Sequence, residues 1–421
     1  MSKSKLAYLA LAVLLVATLA LGACGKKEEP KLEIFSWWTG GGEAEGLTAL
    51  YGLFAKDHPD IEIINATVAG GAGSNAKAVL ATRMQAGDPP DSFQVHAGHE
   101  LIDSWVKADK MEPLTDFFKD EGLTDVMPKG LIDILSYNGE IWSVPVNIHR
   151  SNVLWYNKAV FADNGLTPPA TMDEFFAVAD ALQAKGITPL SLGDSGIWTV
   201  THLFESVLLG TMGPDKYKGL WDGTTDWNGP DVKAALENLA KMLGYVNADH
   251  ASLEWQPATK LVADGDAAMN VMGDWAEGYF KTLGFTPDVE FGWMPSPGTA
   301  GSFIMLSDSF GLPKGAKHPE NAKLWLALCA SKAGQDTFNP IKGSIPARSD
   351  GDLAKYDVYL QSAMADWASN TIVPSLAHGA AAAEGWVTGV NDTLTLFVGN
   401  TDVAAAQASL AKACVDAGVC K

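Results

Sequence analysis

The spacing of apolar residues changes period repeatedly along the first hundred positions. "KLEIFSWW", residues 31–38, reads as a strand. "EAEGLTALYGLFAKDHPD", residues 43–60, returns Leu47, Leu50, Tyr51 and Phe54 at helical spacing. "IEIINATV", 61–68, alternates as a strand, and "SNAKAVLATRMQAG", 74–87, is helical and stops at Gly87. "DSFQVHAG", 91–98, is another short strand. Strands alternating with helices predict βαβ units: an α/β protein with a largely parallel sheet and helices on both faces.

The rhythm breaks in "IWSVPVNIHRSNVLWYNK", 141–158, where two extended runs meet with no helix between them. Such a strand pair carries a chain from one lobe to another. Beyond it the helices lengthen. "TMDEFFAVADALQAKG", 171–186, opens with Thr171 and Glu174 in capping-box spacing and ends at Gly186. A second helix starts near Pro230. Residues 302–338 return to strand, turn and helix, "IKGSIPARSD" (341–350) makes a second extended link, and a helical tail follows. Repeats of 20 to 50 residues, the mark of a solenoid, are not apparent.

Trp37 and Trp38 stand side by side before three glycines, Gly40 to Gly42. Neighbours on a strand face opposite ways, so one buried face cannot use both rings. At least one belongs at the strand's rim, where it can meet a ligand.

The chain has 421 residues, room for about two to three domains. Lys3 and Lys5 precede an apolar run from Leu6 to Leu21, which reads as a secretory signal and is short for a transmembrane helix. The formal charge is −20, and loss of both lysines with the leader makes it more negative by two. That acidity excludes a nucleic-acid partner and suits a monomeric export. Cys414 and Cys420 lie close together in a chain bound for an oxidising compartment and are expected to be bonded, whereas Cys329 falls in an apolar stretch as a buried thiol.

"LGAC", Leu21 to Cys24, resembles a bacterial lipobox. The likeness implies cleavage after residue 23, lipid on Cys24, and a tether over 24–30 that holds the protein at a bacterial membrane, periplasmic or on the cell surface.

An ordered set of segments resembles the solute-binding proteins of carbohydrate importers driven by ATP-binding cassettes. It comprises the strand ending in Trp37 and Trp38, "DPPDSFQVHAG", "GEIWSVPV", "NVLWYNK", "GDAAMNVMGDW", "SDSFGLPKGAKHPENAKLWL" and "GSIPARSD". The nearest likeness is to glucose- and galactose-binding members, over essentially the whole mature chain. The resemblance implies a two-lobed, type II (Venus-flytrap) periplasmic-binding-protein fold with discontinuous lobes and a hinge. Lobe 1 would hold residues 31–145 and 300–345, and lobe 2 residues 146–299 and 346–421. It also implies a monosaccharide in the cleft, a membrane permease as partner, no cofactor and no enzymatic activity.

A sugar needs flat rings for its faces and fixed polar groups for its hydroxyls. The chain carries 14 tryptophans, more than a core of this size requires. The substrate-binding set expected is Trp37, Trp38, Glu43, Gln94, His96, Asp274, Trp275, Asp308, Lys342 and His378. One of the first two rings stacks on the sugar and the other walls the cleft. Gln94 and His96 share a strand face at a strand end and are read as hydroxyl contacts. By the likeness Trp275 is the second lobe's stacking ring, Asp274 orients it or touches sugar, and Lys342 with a neighbouring carboxylate aims at one hydroxyl. His149, Asn147, Trp198 and Trp255 form a second tier. Some members carry lysine where this chain has His96.

Three other readings use residues of this chain. Its length and loop content also admit a disaccharide. Glu43 and Asp308 as the paired carboxylates of a glycoside hydrolase need a set separation and one raised pKa. "GGAGSNAK", 70–77, lacks the spacing of a phosphate-binding loop and reads as a flexible loop. No metal site is expected: the cysteines lack zinc spacing, and His96 with His99 has no matching ligand cluster.

Overall fold

A computed structural model describes residues 29–421. The leader 1–23, the lipidation site Cys24 and tether residues up to 28 lie outside the described residues.

The chain forms two α/β lobes, each built on its own sheet. The first sheet orders its strands Glu62–Asn65, Lys31–Phe35, Ser92–His96, Asp308–Gly311 and Ser143–Pro145. The second orders Phe291–Pro295, Val153–Asn157, Ala267–Val271 and Thr188–Ser191. A smaller three-stranded sheet of Thr371–Pro374, Ser302–Leu306 and His149–Arg150 lies where the chain passes between them.

The expectation of a largely parallel sheet needs correction. In the first sheet Lys31–Phe35 runs parallel to both neighbours, but Asp308–Gly311 runs antiparallel to Ser92–His96 and to Ser143–Pro145. In the second, only the pair of Ala267–Val271 with Thr188–Ser191 is parallel. Asp308–Gly311 alone runs against the other four strands of the first sheet. It enters without a βα crossover, so nothing forces it parallel.

Local signals placed several of the helices. Gly41–Asp57 begins two residues before its expected start. Ser74–Ala86 ends at Gly87, whose φ of +72° suits a residue without a Cβ. Met172–Gln183 carries the complete capping box of Thr171 and Glu174. Pro230–Leu243 has its proline in the first turn.

The two linking segments lie side by side. Ile148 N–H donates to Ile345 O at 2.8 Å and Ile345 N–H returns the bond at 3.0 Å. Two buried clusters flank them, one around Leu32, Ile34, Phe93, Phe310 and Trp325, the other around Phe175, Phe204, Leu239 and Val390. Cys414 and Cys420 are disulfide-bonded with Cα atoms 5.3 Å apart, and Cys329 is a buried free thiol. Among the described residues, no helix is long and apolar enough to cross a membrane.

Candidate functional site

The end of the first strand, the Gly70–Gly73 turn and the start of the Trp275–Thr282 helix converge on a cavity of about 310 Å³ between the sheets. Five tryptophans line it: Trp37, Trp38, Trp198, Trp255 and Trp275. The polar lining is Glu43, His96, His149, Asp308, Lys342 and His378.

Close backbone approach positions the rings. A Cβ on Gly73 would sit 2.8 Å from the Trp37 ring, and one on Gly71 2.7 Å from Trp198 Nε1. The segment read as a flexible loop is therefore the packed floor of two indoles. Trp38 lies deeper, against Phe338 (centroids 4.8 Å) and Phe310 (5.6 Å), so it serves the core as well as the cavity. Trp275 faces His378 at 5.0 Å and His149 at 5.4 Å. The indole N–H groups of Trp38 and Trp198 are buried with no protein acceptor.

Asp308 is held by a donor on each carboxylate oxygen. Gln94 Nε2 donates to one oxygen at 2.8 Å and Asn147 Nδ2 to the other at 2.8 Å. Burial opposes its ionisation, but the close approach and charge of His149, with Lys342 and His96, outweigh that and hold it well below the usual carboxylate range. His149 gives Nδ1 to Asp274 and sets Nε2 3.4 Å from Asp308, outside hydrogen-bond geometry. Burial opposes its charge; Asp274 prevails and raises its pKa. Lys342 Nζ donates to Glu43 at 3.0 Å and stands 5.8 Å from the Trp275 ring and 6.0 Å from Trp38.

Eight of the ten expected residues line the cavity: Trp37, Trp38, Glu43, His96, Trp275, Asp308, Lys342 and His378. Gln94 does not, contrary to its reading as a hydroxyl contact. Both ends of its amide are used, by Asp308 and by the Trp37 N–H at 3.2 Å, so it orients both. Asp274 does not line it either; it accepts from His149 and from Arg150 N–H at 2.9 Å. Of the second tier, His149, Trp198 and Trp255 face the cavity, and Asn147 supports Asp308. His99 is turned to Asp103 at 2.7 Å.

Sequence reasoning missed a buried polar group behind His378. Among the described residues, His202, Glu205 and His378 are the set that could hold a metal ion, with ligand atoms within 4.8 Å of one another. Glu205 is already taken by four donors: Ser151, Ser375 and the backbone N–H groups of Leu376 and Ala377. The signal was a histidine and a glutamate inside the apolar run of the Trp198–Asp222 helix, where all of residues 198–209 are buried.

Residues 33–336 match the family of bacterial extracellular solute-binding proteins. An uncharacterised extracellular-binding protein of an ABC transporter from Pyrococcus horikoshii is 40% identical, covering 95% of this chain and 93% of that one. A probable sugar-binding periplasmic protein from Mesorhizobium japonicum is 36% identical over 87% of this chain and 89% of its own. The crystal structure of a bacterial solute receptor described as exclusive for β-D-galactopyranose superposes with a TM-score of 0.81. It covers 92% of this chain and 98% of that one at 17% identity, a likeness of fold.

Proposed function

The chain belongs to the family of bacterial extracellular solute-binding proteins, and from that premise we infer that it captures a monosaccharide, glucose or galactose, between its lobes. It then delivers the sugar to the membrane permease of an ATP-binding-cassette importer. The observation that carries this reading is five tryptophans around a cavity of about 310 Å³ whose polar groups are already held in place. Rings offer flat apolar faces to the sugar's C–H patches. Asp308, Glu43, Lys342 and the unpartnered indole N–H groups offer acceptors and donors to its hydroxyls. Since their own partners fix most of them, little ordering remains to be done on binding.

Lobe 1 comprises residues 31–145 and 300–345 and lobe 2 residues 146–299 and 346–421, with the hinge at the paired segments of Ile148 and Ile345. Closure of one lobe over a sugar held by the other excludes water and strengthens each hydrogen bond inside. Export under the leader, lipid on Cys24 and a monomeric, acidic body complete the proposal.

A hydrolytic role fits poorly. A glycosidase needs one carboxyl with a raised pKa. Asp308 is held low and Glu43 is paired with Lys342. A disaccharide is the second reading, favoured by a further hollow that shares Trp37, Glu43 and Trp255 with the cavity. Calorimetric titration against mono- and disaccharides, with recovery of intact ligand, tests these readings. Saturable binding of a hexose supports the first, binding of disaccharides alone the second, and turnover of a glycoside refutes both.

A further inference from the structure

Behind the cavity wall, five side chains form one line of contacts: His378, Ser375, Glu205, Ser151 and His202. Glu205 lies at its centre. Its Oε2 accepts the backbone N–H of Leu376 at 2.6 Å and of Ala377 at 3.0 Å. Ser375 Oγ lies 3.0 Å from Oε1 and 2.9 Å from Oε2, and Ser151 Oγ bonds Oε1. An ionised carboxylate only accepts, so both serines donate to it. Each serine has one proton to give. Its oxygen can then only accept from the imidazole beside it. Ser375 Oγ is 2.9 Å from His378 Nδ1, and Ser151 Oγ is 3.0 Å from His202 Nδ1.

We propose that Glu205 is a positioning residue which, through Ser375, fixes His378 as its Nδ1–H tautomer and makes Nε2 a hydrogen-bond acceptor toward the cleft. With Nδ1 committed to Ser375, Nε2 is the one polar atom the ring has left for the cavity it lines. Tautomer is the relevant variable because both rings are neutral. Burial, then the positive charges around it, Lys77 among them, holds His378 well below its ordinary pKa; burial takes His202 down to about 3. The cleft thereby presents a fixed acceptor at His378, which selects a sugar hydroxyl as donor there.

Glu205→Gln provides the test. The two backbone N–H groups can only donate, so they keep the amide oxygen at the Oε2 position. The NH2 group then faces Ser151 and Ser375 and gives each a proton. Both serines turn their own protons to Nδ1, and both imidazoles switch to Nε2–H. Nitrogen-15 NMR of the imidazoles, without sugar and at pH 8, reads this directly. That pH lies above the value of about 7 to which burial raises Glu205. We expect His378 protonated on Nδ1 in the native protein and on Nε2 in the variant, with hexose affinity lowered about 10- to 100-fold. A native His378 protonated on Nε2, or a tautomer unmoved by Glu205→Gln, overturns the proposal. If that variant does not fold, Ser375→Ala cuts the link and spares the other three donors. His378 should then lose its Nδ1–H signature while His202 keeps its own, and an unchanged His378 overturns the proposal. The affinity arm rests on the sugar-binding reading, and the NMR arm does not. The expected tautomers with no sugar bound would refute that reading and leave the relay standing.

Discussion

His149 and Asp274 are hydrogen-bonded across the middle of the protein, and the same imidazole places its other nitrogen 3.4 Å from Asp308. Asp274 follows a strand of the second sheet; Asp308 begins a strand of the first. When protonated, His149 stands between a carboxylate from each half. Removing it leaves two buried carboxylates without their shared partner.

His149→Asn should therefore destabilise the protein by about 3–5 kcal/mol at pH 6, the usual penalty for breaking a buried pair. Because Asp274 raises the pKa of His149 above 6.5, its contribution is fully present below pH 6.5 and is lost as pH rises through the folded value. Urea unfolding of the native protein should show that alkaline decline, and the variant should lack it. Parallel pH profiles would remove the charge from His149.

Trp37 and Trp38 should respond differently to truncation. Trp38 is 2% exposed and packs on Phe310 and Phe338. Trp38→Ala should cost about 3–5 kcal/mol of folding stability in addition to any sugar affinity. Trp275, also buried, is ringed on the cavity side by His149, His202 and His378. Trp275→Ala should weaken hexose binding by about 1–3 kcal/mol in calorimetry. An affinity within twofold of native would remove its ring from the site.

Gly73 ought to be as sensitive as a direct contact. Its φ is +74°, and a Cβ there would press into the Trp37 ring at 2.8 Å. Gly73→Ala should lower stability by about 1–2 kcal/mol and lower hexose affinity as Trp37 is displaced. Near-UV circular dichroism checks whether an indole has moved. Native spectrum and native affinity together would show that the turn does not set the ring.

What the sequence revealed, and what it hid, follows from the range of the interactions. Capping at Thr171, the stop at Gly87 and the two rings before a glycine run are local, and each reads from a few neighbouring residues. Strand direction is not local. Nothing in "SDSFG" says that Asp308–Gly311 will lie antiparallel between Ser92–His96 and Ser143–Pro145. The same holds for Gln94, whose residue type suits a sugar contact but whose amide is consumed by Asp308, 214 positions away. Glu205 was invisible for a similar reason. Its partners come from Ser151 and from residues 375–377, and only folding brings them together.

Lys77 separates a strong pair from a weak one. It bonds Glu100 at 2.9 Å and Glu384 at 3.4 Å, from opposite sides. The Glu100 side chain is 3% exposed and that of Glu384 46%. Solvent screens the second pair, so Glu384→Gln should change stability by less than about 1 kcal/mol. Lys77→Met leaves the buried Glu100 carboxylate with His96 as its remaining partner, at 2.7 Å, and should cost about 3–5 kcal/mol. Burial opposes ionisation of Glu100, yet Lys77 and His96 outweigh it and bring its pKa down to about 2. A depressed carboxylate contributes stability above its unfolded value near 4.5 and loses it as pH falls toward 2. The native protein should thus weaken between those values by about 3 kcal/mol on account of this group. Lys77→Met should flatten that acid limb while Glu384→Gln preserves it. Acid titrations of unfolding free energy for the three proteins decide the point. An equal limb in all three would mean that Glu100 draws its low pKa from His96 alone.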